Sequence, residues 1–140
     1  LTPGERETIA AVVSTANDCA FCARSHAAAA SSHTADPTGV AAACADPRGH
    51  APSAKMRALF DLALAVRDSG KAVTDAHVER ARAAGADDVA IHDTVLIAAA
   101  FCMFNRYVDG LAATTPPAND PAYVSMGEAM AKLGYLRKRD

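Results

Sequence analysis

The sequence predicts an all-α fold, a helical bundle of about six to seven helices, and three observations carry that expectation. Alanine, the strongest helix former, makes up about a quarter of the 140 residues. Apolar residues recur at helical spacing through the long segments, and no segment alternates as a half-buried strand would. Capping residues and helix stops recur along the chain at intervals that suit short, packed helices. The length suits one domain with its own core, spanning 1–140, and no internal repeat argues for a solenoid.

The first helix opens at Thr2-Pro3-Gly4-Glu5, which has the spacing of a capping box with Pro at the first helical position, and is expected to end near Ala16. Ile9, Val12, Val13 and Ala16 form its apolar stripe. Glu7 points nearly opposite, in line with the small residues Ala10, Ala11 and Ser14, so a second helix could approach there and enclose a carboxylate. That second helix is expected to start at Cys19, capped by Asn17 or Asp18, and to run to about Ser32. Asp36-Pro37 starts a short helix ending near Ala45, and Pro47, Gly49 and Pro52 mark a loop. Ser53 can cap a long helix with Met56, Leu59, Phe60, Ala63, Leu64 and Ala65 at helical spacing, which stops near Ser69-Gly70. Thr74 or Asp75 caps the next, and Gly85 ends it. Asp87 or Asp88 starts a helix reaching about Ala112 that is apolar almost all round, which predicts the centre of the fold or a subunit interface. Asp120-Pro121 restarts the chain, and Gly134 closes a final helix before a polar tail.

Charge and composition narrow the partners. A net charge of −2 and a pI near 6.2 leave no basic field for nucleic acid, and the one cationic cluster, Arg137-Lys138-Arg139, is short and terminal. The longest apolar run, residues 95–104, falls short of the roughly 20 residues that span a bilayer, so it reads as a buried helix and no membrane partner is expected. Four cysteines, two of them close together and with no secretory leader ahead of them, predict a reducing cytoplasm rather than a disulfide framework.

The chemistry concentrates in Cys19-Ala20-Phe21-Cys22-Ala23-Arg24-Ser25-His26. At about 100° per residue, Cys19, Cys22 and His26 fall within roughly 60° of one another on one helical stripe. The positive end of the helix dipole favours thiolate at Cys19, whereas His26, four residues on, can take a proton from Cys22 or hold its thiolate as an ion pair. Dipole and imidazole thus favour different sulfurs. A zinc site would need a fourth ligand, and His33, the one nearby candidate, has awkward reach from the same helix. Cys44 and Cys102 read as core or crevice fillers, and Asn105, Arg106 and Asp109 as polar groups paired inside or across an interface.

These residues resemble the alkylhydroperoxidase D-like branch of the carboxymuconolactone decarboxylase superfamily, and more narrowly its peroxidase-related members. The resemblance rests on Leu1-Thr2-Pro3-Gly4-Glu5-Arg6-Glu7, on Val13-Ser14 and Asn17 leading into the cysteine motif, and on Phe101 with Asn105-Arg106-Tyr107-Val108-Asp109-Gly110-Leu111. It implies an oligomeric, all-helical thiol peroxidase with no cofactor and no metal, its paired cysteines cycling between dithiol and disulfide. By it Cys22 matches the peroxidatic cysteine, Cys19 the resolving one, His26 the histidine of a proton relay and Glu7 its carboxylate. The implied partners are a hydroperoxide substrate, a thiol reductant or redox protein, and further copies of the chain in a dimer, trimer or hexamer. Phe21 departs from the alkylhydroperoxidase D type, which has a further histidine between the cysteines. Members of the family carry helical residues ahead of the Leu1 position, so a missing N-terminal segment is also implied.

Three other functions compete. Lactone chemistry of the decarboxylase kind does not rely on a cysteine pair. A thiol-disulfide reductase or redox sensor would use the same two thiols, and a redox-inactive oligomeric scaffold would form no disulfide with peroxide.

Overall fold

The first, third, fourth and sixth helices begin where a side chain satisfies a free amide of the first turn. In the computed structural model, which describes residues 1–135, seven α-helices and one 3-10 turn follow one another, with no strand among the described residues: α1 (Pro3–Ala16), α2 (Ala20–Thr34), α3 (Pro37–Ala45), α4 (Ala54–Asp68), the turn Gly70–Ala72, α5 (Asp75–Ala83), α6 (Asp88–Gly110) and α7 (Ala122–Leu133). Thr2 and Glu5 form the expected capping box, and Asp36, Ser53 and Asp87 each accept an amide at the start of α3, α4 and α6. The Arg137-Lys138-Arg139 tail lies outside the described residues.

The start of α2 differs from expectation. Asn17 closes α1, Asp18 adopts a left-handed φ of 58°, and Cys19 itself is the N-cap, with no side-chain bond to the first turn. The chain must reverse within two residues, and it does so with Asp18 N–H donating to Thr15 O and Cys19 N–H to Ser14 O. Those bonds use the geometry that a capping Asn or Asp would need.

The surrounded helix is α1, so of the two places the sequence allowed α6, the centre of the fold or an interface, the first is taken by another helix. Every residue from Glu7 to Ser14 is buried, with α2, α3, α4 and α6 packed around it. The core joins Ile9, Val12 and Val13 to Met56, Leu59, Phe60, Leu62 and Ala63 of α4 and to Ala90 and Ala98 of α6. Burial of side chains such as Phe60 or Leu59 contributes about 1.5–3 kcal/mol each. In α4 the buried stripe takes in Leu62 and Val66, while Leu64 and Ala65 sit at its margin.

α6 is half in and half out. Ala90, Thr94, Ala98 and Asn105 face inward, but Val89, Leu96, Met103, Phe104 and Tyr107 are open to solvent. At 23 residues the helix is also long and apolar enough to cross a membrane by length and composition, which the shorter run 95–104 had concealed. Its polar groups are nevertheless built into the bundle: Asp93 pairs with Arg6 of α1 at 3.0 Å, and Asn105 bonds to Ser14.

Candidate active site

The tight reversal between α1 and α2 lays the two helices side by side, and the small residues Ala10, Ala11, Ser14, Ala29 and Ala30, all buried, let them approach closely. Glu7 is thereby enclosed by α2, only 8% exposed, and its Oε2 lies 2.7 Å from His26 Nδ1. An ionised carboxylate can only accept, so Nδ1 carries the hydrogen and Nε2 is the accepting atom of the neutral ring. Phe101 of α6 meets the imidazole edge-on at a centroid distance of 4.5 Å and fixes its plane.

A third group completes the cluster. The Tyr135 hydroxyl donates to Glu7 Oε1 and lies 3.3 Å from His26 Nδ1, its ring stacked on the imidazole. Burial works to raise the Glu7 carboxyl, but hydrogen bonds from His26 and Tyr135, aided by the His26 and His33 charges, outweigh it and hold it below the usual range.

The thiols sit at the start of the same helix. Cys19 is fully enclosed and Cys22 is 5% exposed. Burial pushes the Cys19 thiol up to about 12, with further contributions from a hydrogen bond to the Cys22 sulfur and from the Asp109 carboxylate of α6. Enclosure and a neighbouring carboxylate thus act on Cys19 in the sense opposite to the helix end, which favours thiolate. The two sulfurs adjoin, and all four cysteines are free thiols. Glu7 and His26 are likewise joined, whereas no direct hydrogen bond connects the ring to either thiol among the described residues.

A polar network braces the reversal that carries Cys19. Asn17 Nδ2 donates to Asn105 Oδ1 at 2.9 Å, Asn105 Nδ2 to Ser14 Oγ at 3.0 Å, and Arg67 of α4 to Asn17 Oδ1 and Ala16 O. Cys102 receives a weak bond from Asn17 Nδ2 at 3.6 Å, and Cys44 packs against the core, so both serve as fillers. Asn105 is paired inside, as its place on an apolar helix required; Arg106 instead turns outward to Cys102 O. Asp109 belongs to the site, and its spacing of four from Asn105, which puts both on one helix face, was the signal for it. Tyr135 had no sequence signal.

Beside the cluster opens a cleft of about 400 Å³, between Ala10, Ile97, Phe101, Phe104 and Tyr135, with Glu7 in its lining and Arg6 its cation. Its walls are mostly apolar. Among the described residues no three His, Cys, Asp or Glu side chains converge on a point that could hold a metal.

Comparison with known proteins agrees with this architecture. The profile of the carboxymuconolactone decarboxylase family matches residues 1–63, the segment holding Glu7, Cys19, Cys22 and His26. A crystal structure described as an alkylhydroperoxidase AhpD core, an uncharacterized peroxidase-related protein from Ralstonia eutropha JMP134, superposes with a TM-score of 0.81 at 27% identity, covering 91% of this chain and 65% of that one. An uncharacterized peroxidase-related protein from Silicibacter sp. TM1040 gives 0.78 at 28% identity, covering 91% and 64%. The chain thus spans a little less than two thirds of the length of either. No curated protein sequence matches it. With the profile on the site-bearing helices and the fold shared across 91% of its length, the chain is similar to the carboxymuconolactone decarboxylase family over residues 1–63 and has the alkylhydroperoxidase D-like fold.

Proposed function

We propose that the protein is a thiol-dependent peroxidase that reduces hydroperoxides through a Cys19/Cys22 dithiol–disulfide cycle. The observation that carries this reading is the juxtaposition on α2 of two adjoining free thiols with a histidine whose Nδ1 is bonded to a buried carboxylate. The Cys22 thiolate attacks the distal oxygen of the hydroperoxide; an S–O bond forms, the O–O bond breaks, and the departing alkoxide takes a proton from the His26 imidazolium. Cys19, held as the neutral thiol, then attacks the sulfenic sulfur of Cys22. An S–S bond forms, the S–O bond breaks, and the leaving hydroxide departs as water with the Cys19 proton. Glu7 stabilises the charged imidazole in the first step and fixes its tautomer in the second. A dithiol reductant supplies two electrons and two protons to reopen the disulfide.

The apolar cleft beside the relay favours a small hydroperoxide with an apolar tail over a protein disulfide, which sets this reading ahead of a general disulfide reductase. Cys22→Ser is expected to abolish peroxide consumption while leaving the helical circular dichroism unchanged. Turnover equal to the unmodified protein would contradict the assignment.

A further inference from the structure

The chain beyond α7 enters the site, and the Tyr135 hydroxyl meets the same carboxylate as the histidine. We propose that Tyr135 is a positioning residue of the relay: its hydroxyl takes Glu7 Oε1 and so fixes the carboxylate with Oε2 on His26 Nδ1. The inference rests on the peroxidase reading and adds to it a residue 128 positions from the carboxylate.

Three features of the fold converge on that contact. α7 lies against α2 at Gly127, where a Cβ would stand 2.5 Å from the Ala28 carbonyl carbon, so the helices touch backbone to backbone. Both helices also hold one carbonyl: Arg24 of α2 and Tyr123 of α7 donate to Pro116 O at 2.9 and 3.1 Å. At the far end of α7, Gly134 takes φ 67° and ψ −167°, a conformation that favours glycine, and turns the chain back so that Tyr135 reaches Glu7.

The side chain is placed for its polar tip. Tyr135 is 64% exposed, yet its hydroxyl is bonded to a carboxylate that is 8% exposed. A residue retained for packing would bury the ring and leave the hydroxyl in water. The groups that face Glu7 are His26 and His33 from α2 and Tyr135 beyond α7; Arg6 of its own helix lines the adjoining cleft and is paired with Asp93 of α6. Tyr135 is the uncharged donor of the set, so it stabilises the ionised carboxylate without contributing a charge that would compete with the imidazolium.

Tyr135→Phe keeps the ring and removes the donor. The Glu7 carboxyl can be titrated by carbon NMR of protein labelled at its four glutamates, with Glu7→Gln assigning the signal. Loss of one hydrogen bond to a charged group is expected to raise the Glu7 midpoint by about one pH unit. The acid limb of the pH–rate profile for cumene hydroperoxide consumption should move up by a similar amount. A Glu7 midpoint that does not move, or one that rises while the acid limb stays fixed, overturns the role given to Tyr135. Absence of peroxide consumption by the unmodified protein at every pH would instead overturn the peroxidase reading, and the carboxyl titration would still report whether Tyr135 holds Glu7.

Discussion

Cys19 and Glu7 show how the same enclosure ends in opposite shifts on two acids, because their neighbours differ. Cys19 loses solvent and gains a thiol and a carboxylate as neighbours, so its neutral form is favoured. Glu7 also loses solvent but gains donors, so its charged form is favoured. The consequence for stability follows from linkage: a carboxyl held below its ordinary 4.5 contributes stability that is present above that value and lost as pH falls through the folded-state value. Glu7→Gln is therefore expected to flatten the decline of the urea midpoint between about pH 5 and pH 3. An acid decline equally steep in both proteins would contradict the ionised, hydrogen-bonded carboxylate. The neighbourhood of Cys19 and Cys22 at the start of α2 was legible from spacing, whereas the bond of His26 goes to Glu7 and not to a thiol. The upward shift of the Cys19 thiol was not, since it comes first from burial and then from its neighbours, among them Asp109, which lies 90 positions along the chain.

At the level of elements, helix beginnings were readable wherever a single side chain decides them, as Thr2, Ser53 and Asp87 do. The α1–α2 reversal escaped because backbone bonds from Asp18 and Cys19 decide it, and these leave no residue pattern. The docking of α7 escaped for a similar reason: Gly127 looks like a weak point in a helix until Ala28 is seen against it. Gly127→Val would force the two backbones apart and is expected to lower stability by about 1–3 kcal/mol, read from urea unfolding. The same substitution should displace Tyr135 from Glu7, because Tyr135 follows the end of α7 by two residues. A stability equal to that of the unsubstituted protein would show that α7 does not pack on α2 through this face.

On the scale of the molecule, the open face of α6 is the largest feature a single chain leaves unexplained. Val89, Leu96 and Met103 repeat every seven residues along it, and Phe104, Tyr107 and Leu111 widen the stripe. Apolar surface so continuous is the mark of an interface. We propose that a second copy of the chain covers it, a contact that would also close the cleft where Phe104 stands opposite Ala10 and Tyr135. Leu96→Glu combined with Met103→Glu should reduce the mass seen by sedimentation to that of one 14.4 kDa chain; an unsubstituted protein that is already monomeric would contradict the proposal. The sequence foresaw an apolar helix, either central or at an interface, but not which side of it is open, because α1 takes the central place. Peroxidase chemistry here requires the two thiols at the start of α2 to act as one redox pair. Mass spectrometry of reduced protein after one equivalent of cumene hydroperoxide tests it directly: the expected product is an intramolecular Cys19–Cys22 disulfide, two mass units lighter, with Cys44 and Cys102 still alkylatable. Recovery of both Cys19 and Cys22 as unmodified thiols, with the peroxide unspent, would contradict it.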